Sequence, residues 1–327
     1  MVAIFGILKA GAAYVPLDVS FPPRRIAEIV DEDAQCPAVL IEHKDLAATH
    51  CAGLRADLLV FGSTGTLCAL GTPSREATAG PLLTTGSDLI YVMYTSGSTG
   101  KPKGVMVGHT ELLMRVAWMQ EAFCCSEGDV VPQKTRLIFG ISEWEIFWTL
   151  AHGATLCIVP DAQMRTPATF VDALERMGAS FAFLVPSHLA ALLPPMEQGL
   201  QQGRRGALRT LRHAVCCGEV LPLSTVKLFH RAVLDAAILA LSEGGGDAPS
   251  CELHNLYGPT EGSMTSFGCP AATTQVLIGQ PIGNTVVLLV DAELRPVPVG
   301  VVGEILFGGC IAKGYLNNPQ LTDDKFV

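Results

Sequence analysis

Strand-like and helix-like runs alternate along this 327-residue chain, which places it in the α/β class: wound, mostly parallel sheets with helices on both faces, followed by a β-rich lobe. Two observations predict this. Between residues 89 and 185, short apolar β-branched runs alternate with stretches of helical periodicity, the order that crossover-connected parallel strands require. After Pro270 the pattern changes to short alternating strands with turns, at residues 286–290, 291–295 and 303–307.

Taken in order, residues 1–13 read as a helix that continues to a segment where Pro16 ends it or starts a strand. Pro22-Pro23 opens an amphipathic helix over residues 24–33, with Ile26, Ile29 and Val30 inward, and residues 38–41 read as a short buried strand, which completes one βα repeat. Residues 63–85, rich in Gly, Ser, Thr and Pro, form a connection ahead of a buried strand at 89–94. A helix then runs from Thr110 towards Phe123. It is followed by a strand at 136–139, a helix at 143–151, a strand at 154–159, a helix at 167–177 and a strand at 181–185. Residues 194–205 and 242–250 read as surface loops. The implied sub-lobes cover roughly 1–86, 87–270 and 271–327.

Composition excludes several functions. A net charge of −9 leaves no basic field for nucleic acid. No apolar run approaches the length of about 18 residues needed for a membrane span. The eleven cysteines include adjacent pairs, Cys124-Cys125 and Cys216-Cys217, and lie in apolar runs without C-x-x-C spacing; buried, reduced thiols in a cytoplasmic protein are expected.

The chemistry is concentrated in two turns. Thr95, Ser96, Gly97, Ser98, Thr99, Gly100, Lys101, Pro102, Lys103 and Gly104 follow the buried strand at 89–94, and such a loop can close its backbone N–H groups, hydroxyls and lysines on phosphate. It is not a Walker A loop, because only Ser98 and Thr99 separate Gly97 from Gly100-Lys101, and Pro102 disfavours a helix start at that point. The second turn, Asn255 to Gly262, sets Glu261 beside Thr260 on a Gly258-Pro259 bend; one carboxylate with phosphate and water is how proteins hold Mg²⁺.

The stretch YTSGSTGKPKGV resembles the signature loop of the adenylate-forming superfamily. Four further segments match it in order: LKAGAAYVPLD (8–18), FGISEWEIF (139–147), NLYGPTEGS (255–263) and GEILFGGCIAKGYLNNPQLTDDKF (303–326), and their wording is closest to adenylation domains of nonribosomal peptide synthetases. The resemblance implies that the chain is the core of the large lobe, its last part barrel-like, with first strands and a C-terminal lobe bearing a catalytic lysine lying outside residues 1–327. It implies ATP with Mg²⁺, attack of a small carboxylic acid on the α-phosphorus, and transfer of the acyl group to the phosphopantetheine of a carrier domain. Thr95 to Lys101, Asn255, Tyr257 and Gly258 would hold nucleotide: Tyr257 by stacking on adenine, Asn255 by bonding its amino edge. Lys103, Thr260 and Glu261 would be catalytic. A nucleotide- or partner-binding module without activity, or a stand-alone acyl-CoA ligase, are the alternative functions.

One departure bears on substrate. Peptide-synthetase domains that select α-amino acids usually carry Asp at the position of Gly140, where it pairs with the substrate ammonium. The other pocket positions that the resemblance implies are Phe139, Ile141, Trp144, Phe183, Val215, Cys217, Leu256, Met264 and Thr265, nearly all apolar. An acid without an ordinary α-ammonium is therefore expected: a keto, hydroxy, aryl or modified amino acid. Glu143 is the neighbouring acid that could stand in for the missing partner. His109 and His188, without metal-type partners in the sequence, read as structural.

Overall fold

In the computed structural model, each parallel strand pair among the described residues is joined through a helix. The structure describes residues 1–61, 67–70, 84–95, 102–202, 206–242 and 250–327. They divide into two compact units, one of residues 1–112 with 312–327 and the other of residues 113–311.

In the first unit, strands β1 (Ala38–Ile41) and β2 (Asp57–Phe61) run parallel around the helix Lys44–His50, and β3 (Leu67–Ala69) pairs antiparallel with β2. The helix at Pro23–Ala27 continues as wider π turns over Glu28–Asp33, and Ile26, Ile29 and Val30 are buried as their spacing predicts. Strands β4 (Leu89–Thr95) and β5 (Lys103–Gly108) form an antiparallel pair in which Thr95 faces Lys103. Segments far apart in sequence close over this pair: Tyr14 bridges Tyr91, and Tyr315 bridges Val105.

The second unit carries β6 (Val130–Gln133) parallel to β7 (Thr155–Ile158), and a five-stranded sheet in the order β12-β11-β10-β9-β8. Its strands are β8 (Phe181–Leu184), β9 (His213–Cys216), β10 (Glu252–Tyr257), β11 (Thr265–Gly268) and β12 (Gln280–Pro281); β8, β9 and β10 are parallel, joined by the helices Pro186–Gln201 and Leu223–Ser242. Ser180 N–H donates to the Val130 carbonyl at 2.9 Å and brings β6 alongside β8. One core packs Phe170, Leu174, Leu189, Leu192, Ala214 and Phe229 between these helices and the sheet. The sheets are thus mixed rather than mostly parallel. The β-rich region is an antiparallel ribbon of β13 (Thr285–Val290) and β14 (Glu304–Gly309), with no closed barrel among the described residues.

Four local readings change. Residues 136–139 are a turn, not a strand: the buried Glu145 carboxylate accepts from the backbone N–H groups of Lys134 and Thr135 at 3.1 and 3.0 Å, so those amides leave the sheet just after β6. Pro194 and Pro195 do not begin a loop, because the helix Pro186–Gln201 runs through both. Leu192, Leu193, Met196 and Leu200 line its buried face, and their burial outweighs the lost N–H donors. Residues 67–69, inside the expected connection at 63–85, form β3. Residues 291–295 are a turn, in which Asp291 N–H donates to Arg295 O at 2.9 Å and Leu294 takes φ +60°.

Gly279 joins the sheet edge to β12 at φ +91°, and a Cβ there would collide with the Ser266 carbonyl. Gly279→Ala is expected to cost at least about 2 kcal/mol in urea unfolding, from left-handed strain plus overlap with backbone that cannot yield.

Candidate active site

The carboxyl ends of β9 and β10 open onto a cavity of about 460 Å³. Parallel strands end there together, which is where α/β sheets bind ligands. Asn255, Tyr257 and Gly258, the nucleotide contacts that the resemblance implies, line the cavity together with Leu256 of the implied acid pocket. Asn255 is buried; its Nδ2 donates to Leu277 O at 2.9 Å, while its Oδ1 has no hydrogen-bond partner among the described residues. An orphaned amide oxygen at a cavity wall fits an N–H donor on a ligand. Tyr257 is 42% exposed and can offer a ring face, and Phe307 lies 6.4 Å from it between centroids. Gly258 admits close packing of the following turn, since a Cβ there would sit 2.5 Å from Ser263 O. Thr260 and Glu261 are half-buried on that turn, which Gly262 N–H closes onto Pro259 O at 3.2 Å.

The cavity has walls that no sequence pattern announces. Val276, Leu277 and Ile278 reach it because β12 folds back beside β11, and Gly218 and Glu219 follow β9. Glu219 accepts from Ser187 N–H at 2.9 Å and Ser187 Oγ at 3.0 Å, and these bonds hold its carboxyl below the usual range.

Of the predicted acid-pocket residues, Phe183 and Val215 are register partners on β8 and β9, and Trp144 meets Phe183 edge-on at 5.9 Å. Tyr257 and Thr265 are register partners on β10 and β11, and the Thr265 hydroxyl donates to Ile278 O. Trp144, Phe183, Val215, Cys217, Leu256, Met264 and Thr265 are buried, Ile141 is half-buried and Phe139 is exposed. Burial pushes the Cys217 thiol up to about 11, so it remains neutral. A Cβ at Gly140 would meet nothing within 4 Å.

Residues 141–151 form the expected helix, with its middle, Trp144–Trp148, widened to π turns. Its two acids are engaged with protein groups. Glu143 Oε1 lies 2.9 Å from Arg115 Nε and accepts from Trp144 Nε1 at 2.9 Å. Glu145 accepts from Thr135 Oγ1 at 2.7 Å and lies 3.9 Å from Lys134 Nζ. Burial raises the Glu145 carboxyl and lowers the Lys134 ammonium.

Thr95 and Lys103, which flank the predicted phosphate loop, belong to the first unit. Ser96, Gly97, Ser98, Thr99, Gly100 and Lys101 lie outside the described residues. On either side of them, Thr95 and Lys103 are register partners of the antiparallel strands β4 and β5. Thr95 Oγ1 is buried and has no hydrogen-bond partner among the described residues. Lys103 Nζ donates to Tyr315 Oη at 2.9 Å and stands 4.6 Å from that ring's centroid, so two of the sequence motifs meet there.

Residues 1–316 match the AMP-binding enzyme family, and the chain belongs to it. It is 36% identical to a mycosubtilin synthase polypeptide of Bacillus subtilis, covering 100% of this chain and 12% of that protein. Zwittermicin A synthase ZmaJ of Bacillus cereus is also 36% identical, with 100% of this chain and 59% of that protein covered. For enterobactin synthase component F of Escherichia coli the identity is 34%, over 99% and 24%. The chain therefore spans between about an eighth and three-fifths of these relatives. Among solved structures, the AMPPNP-bound form of the nonribosomal peptide synthetase FmoA3 is similar with TM-score 0.79 and 28% identity, over 99% of this chain and 32% of that one. The α-methyl-L-serine-AMP-bound form gives TM-score 0.77 and 29% identity, over 99% and 34%. No helix among the described residues is long and apolar enough to cross a membrane.

Proposed function

We propose that the chain is the nucleotide- and acid-binding core of a peptide-synthetase adenylation domain, which activates a carboxylic acid with ATP as the acyl-adenylate for transfer to a carrier-bound phosphopantetheine thiol. The observation that carries this reading is the buried Asn255 carbonyl oxygen without a donor, at the wall of a cavity beside the exposed Tyr257 ring. That pairing suits the amino edge and the face of adenine.

Little covalent chemistry is asked of the protein in such a reaction; it aligns the carboxylate with the α-phosphorus and offsets the charge that develops. In this reading Thr95 to Lys101 cradle the triphosphate, Lys103 adds positive charge on the pyrophosphate side, and Thr260 contacts the α-phosphate. Glu261 supplies the single carboxylate that magnesium takes alongside phosphate and water, and the bound ion would neutralise the leaving group.

The acid lacks an ordinary α-ammonium. Gly140 supplies no charge, and Glu143 and Glu145, the acids of the adjoining helix, are both tied to protein donors. ATP–pyrophosphate exchange with the full-length protein across a panel of keto, hydroxy, aryl and amino acids tests both parts. Exchange with an acid free of α-ammonium is expected; preference for an unmodified α-amino acid would remove the substrate assignment, and no exchange with any acid would remove the enzyme. Asn255→Ala is expected to weaken binding of a non-hydrolysable ATP analogue by about tenfold, one hydrogen bond's worth, with the thermal midpoint as control for folding.

A further inference from the structure

The amino ends of β9 and β10 lie at the opposite edge of the sheet from the cavity, and adenylation leaves their side chains unused. His213 opens β9 and is the register partner of Glu252, which opens β10; His254 stands two residues further on and so on the same face as Glu252. Three potential ligand atoms converge. His213 Nδ1 is 3.4 Å from His254 Nε2 and 3.6 Å from Glu252 Oε2, and His254 Nε2 is 3.2 Å from the same Oε2. Among the described residues no other group of three such side chains brings its ligand atoms together in this way.

A triangle with those sides has a point about 2.0 Å from each corner, which is the bond length of zinc to imidazole nitrogen or carboxylate oxygen. The same bond lengths in a tetrahedral site set ligand-to-ligand edges of about 3.3 to 3.5 Å, so the side chains already stand near the spacing that ligation needs. We propose that His213, Glu252 and His254 form a binding site for a borderline divalent transition-metal ion, zinc foremost, with a fourth position left for water.

The donor set selects the ion. Two imidazoles with one carboxylate suit zinc and its neighbours, whereas magnesium and calcium require oxygen ligands. The rings are preset by packing: His213 stacks on Phe181 with centroids 5.1 Å apart and planes 12° apart, and His254 meets Phe123 edge-on at 5.0 Å. Side chains fixed before the ion arrives lower the ordering cost of binding. Glu252 is 67% exposed at its side chain, which leaves the ion a path from solvent. The neighbouring cation, Arg212, donates to Asp129 Oδ2 at 2.8 Å, so a carboxylate opposes its charge. A bound ion would clamp the amino ends of two parallel strands whose carboxyl ends carry Cys217 and Tyr257.

Metal-stripped full-length protein titrated with Co²⁺, then with Zn²⁺ as competitor, tests the site. One ion per chain is expected, with the absorption of nitrogen and oxygen ligands and without thiolate-to-cobalt charge transfer. Glu252→Gln, at an exposed position, and His254→Gln are each expected to weaken Zn²⁺ binding by at least about a hundredfold. Glu252→Gln should keep the metal-free thermal midpoint and lose the rise that Zn²⁺ gives the parent. Absence of binding at micromolar Zn²⁺, equal affinity in parent and both variants, or thiolate bands that assign the ion to cysteines would each overturn the proposal.

Discussion

Gly140→Asp in the full-length protein is expected to raise ATP–pyrophosphate exchange with unmodified α-amino acids by about a hundredfold or more, while exchange with the parent's preferred acid falls. The size follows from the cost of an unpaired buried ammonium, roughly 3 to 5 kcal/mol, or on the order of hundreds- to thousands-fold in affinity. The backbone tolerates the change. Gly140 sits at φ −54° and ψ −29°, an ordinary right-handed helical conformation that aspartate adopts without strain, just before the helix that begins at Ile141. Open space awaits the new side chain, since a Cβ there meets nothing within 4 Å. A folded variant whose acid preference is unchanged would show that Gly140 does not face the substrate's α-substituent.

How far the sequence can be read depends on whether the deciding interaction is local. The helix Pro167–Met177 forms with the predicted bounds because its signals lie inside it: Thr166 and Thr169 make a reciprocal capping box, proline occupies the first turn, and Gly178 ends it at φ +64°. The strands at 89–94 and 181–185 are legible for the same reason, as continuous apolar runs. Residues 136–139 have the composition of a strand, yet the outcome is set by a carboxylate further along the chain, Glu145, which draws off the amides of Lys134 and Thr135 just before them. Pro194-Pro195 carries a loop signal that the burial of Leu192, Met196 and Leu200 overrides. The site divides in the same way. Asn255, Tyr257 and Glu261 announce themselves within a single motif. The Leu277 carbonyl that orients Asn255 comes from a strand return 22 residues away and leaves no pattern in either segment.

Arg115→Leu is expected to destabilise the chain by about 3 to 5 kcal/mol in urea unfolding. Arg115 and Glu143 are only 5% and 2% exposed, and their closest atoms are 2.9 Å apart. Removing the guanidinium would leave the carboxylate in a dry site without its closest cation, with the Trp144 indole N–H still donating to it. The ion pair itself need not be a large net stabiliser, because both charges gave up water to form it. The double replacement Arg115→Leu with Glu143→Leu should therefore recover most of the loss. A double variant as unstable as the single one would show that Arg115 acts through packing of its stem rather than its charge. Function separates the same alternatives: if Glu143 serves only to neutralise Arg115, Glu143→Gln leaves the acid preference of the exchange reaction unchanged while lowering stability. A shift in acid preference on that substitution would instead place the Glu143 carboxylate in contact with the substrate, and Gly140 would no longer account for the missing ammonium partner.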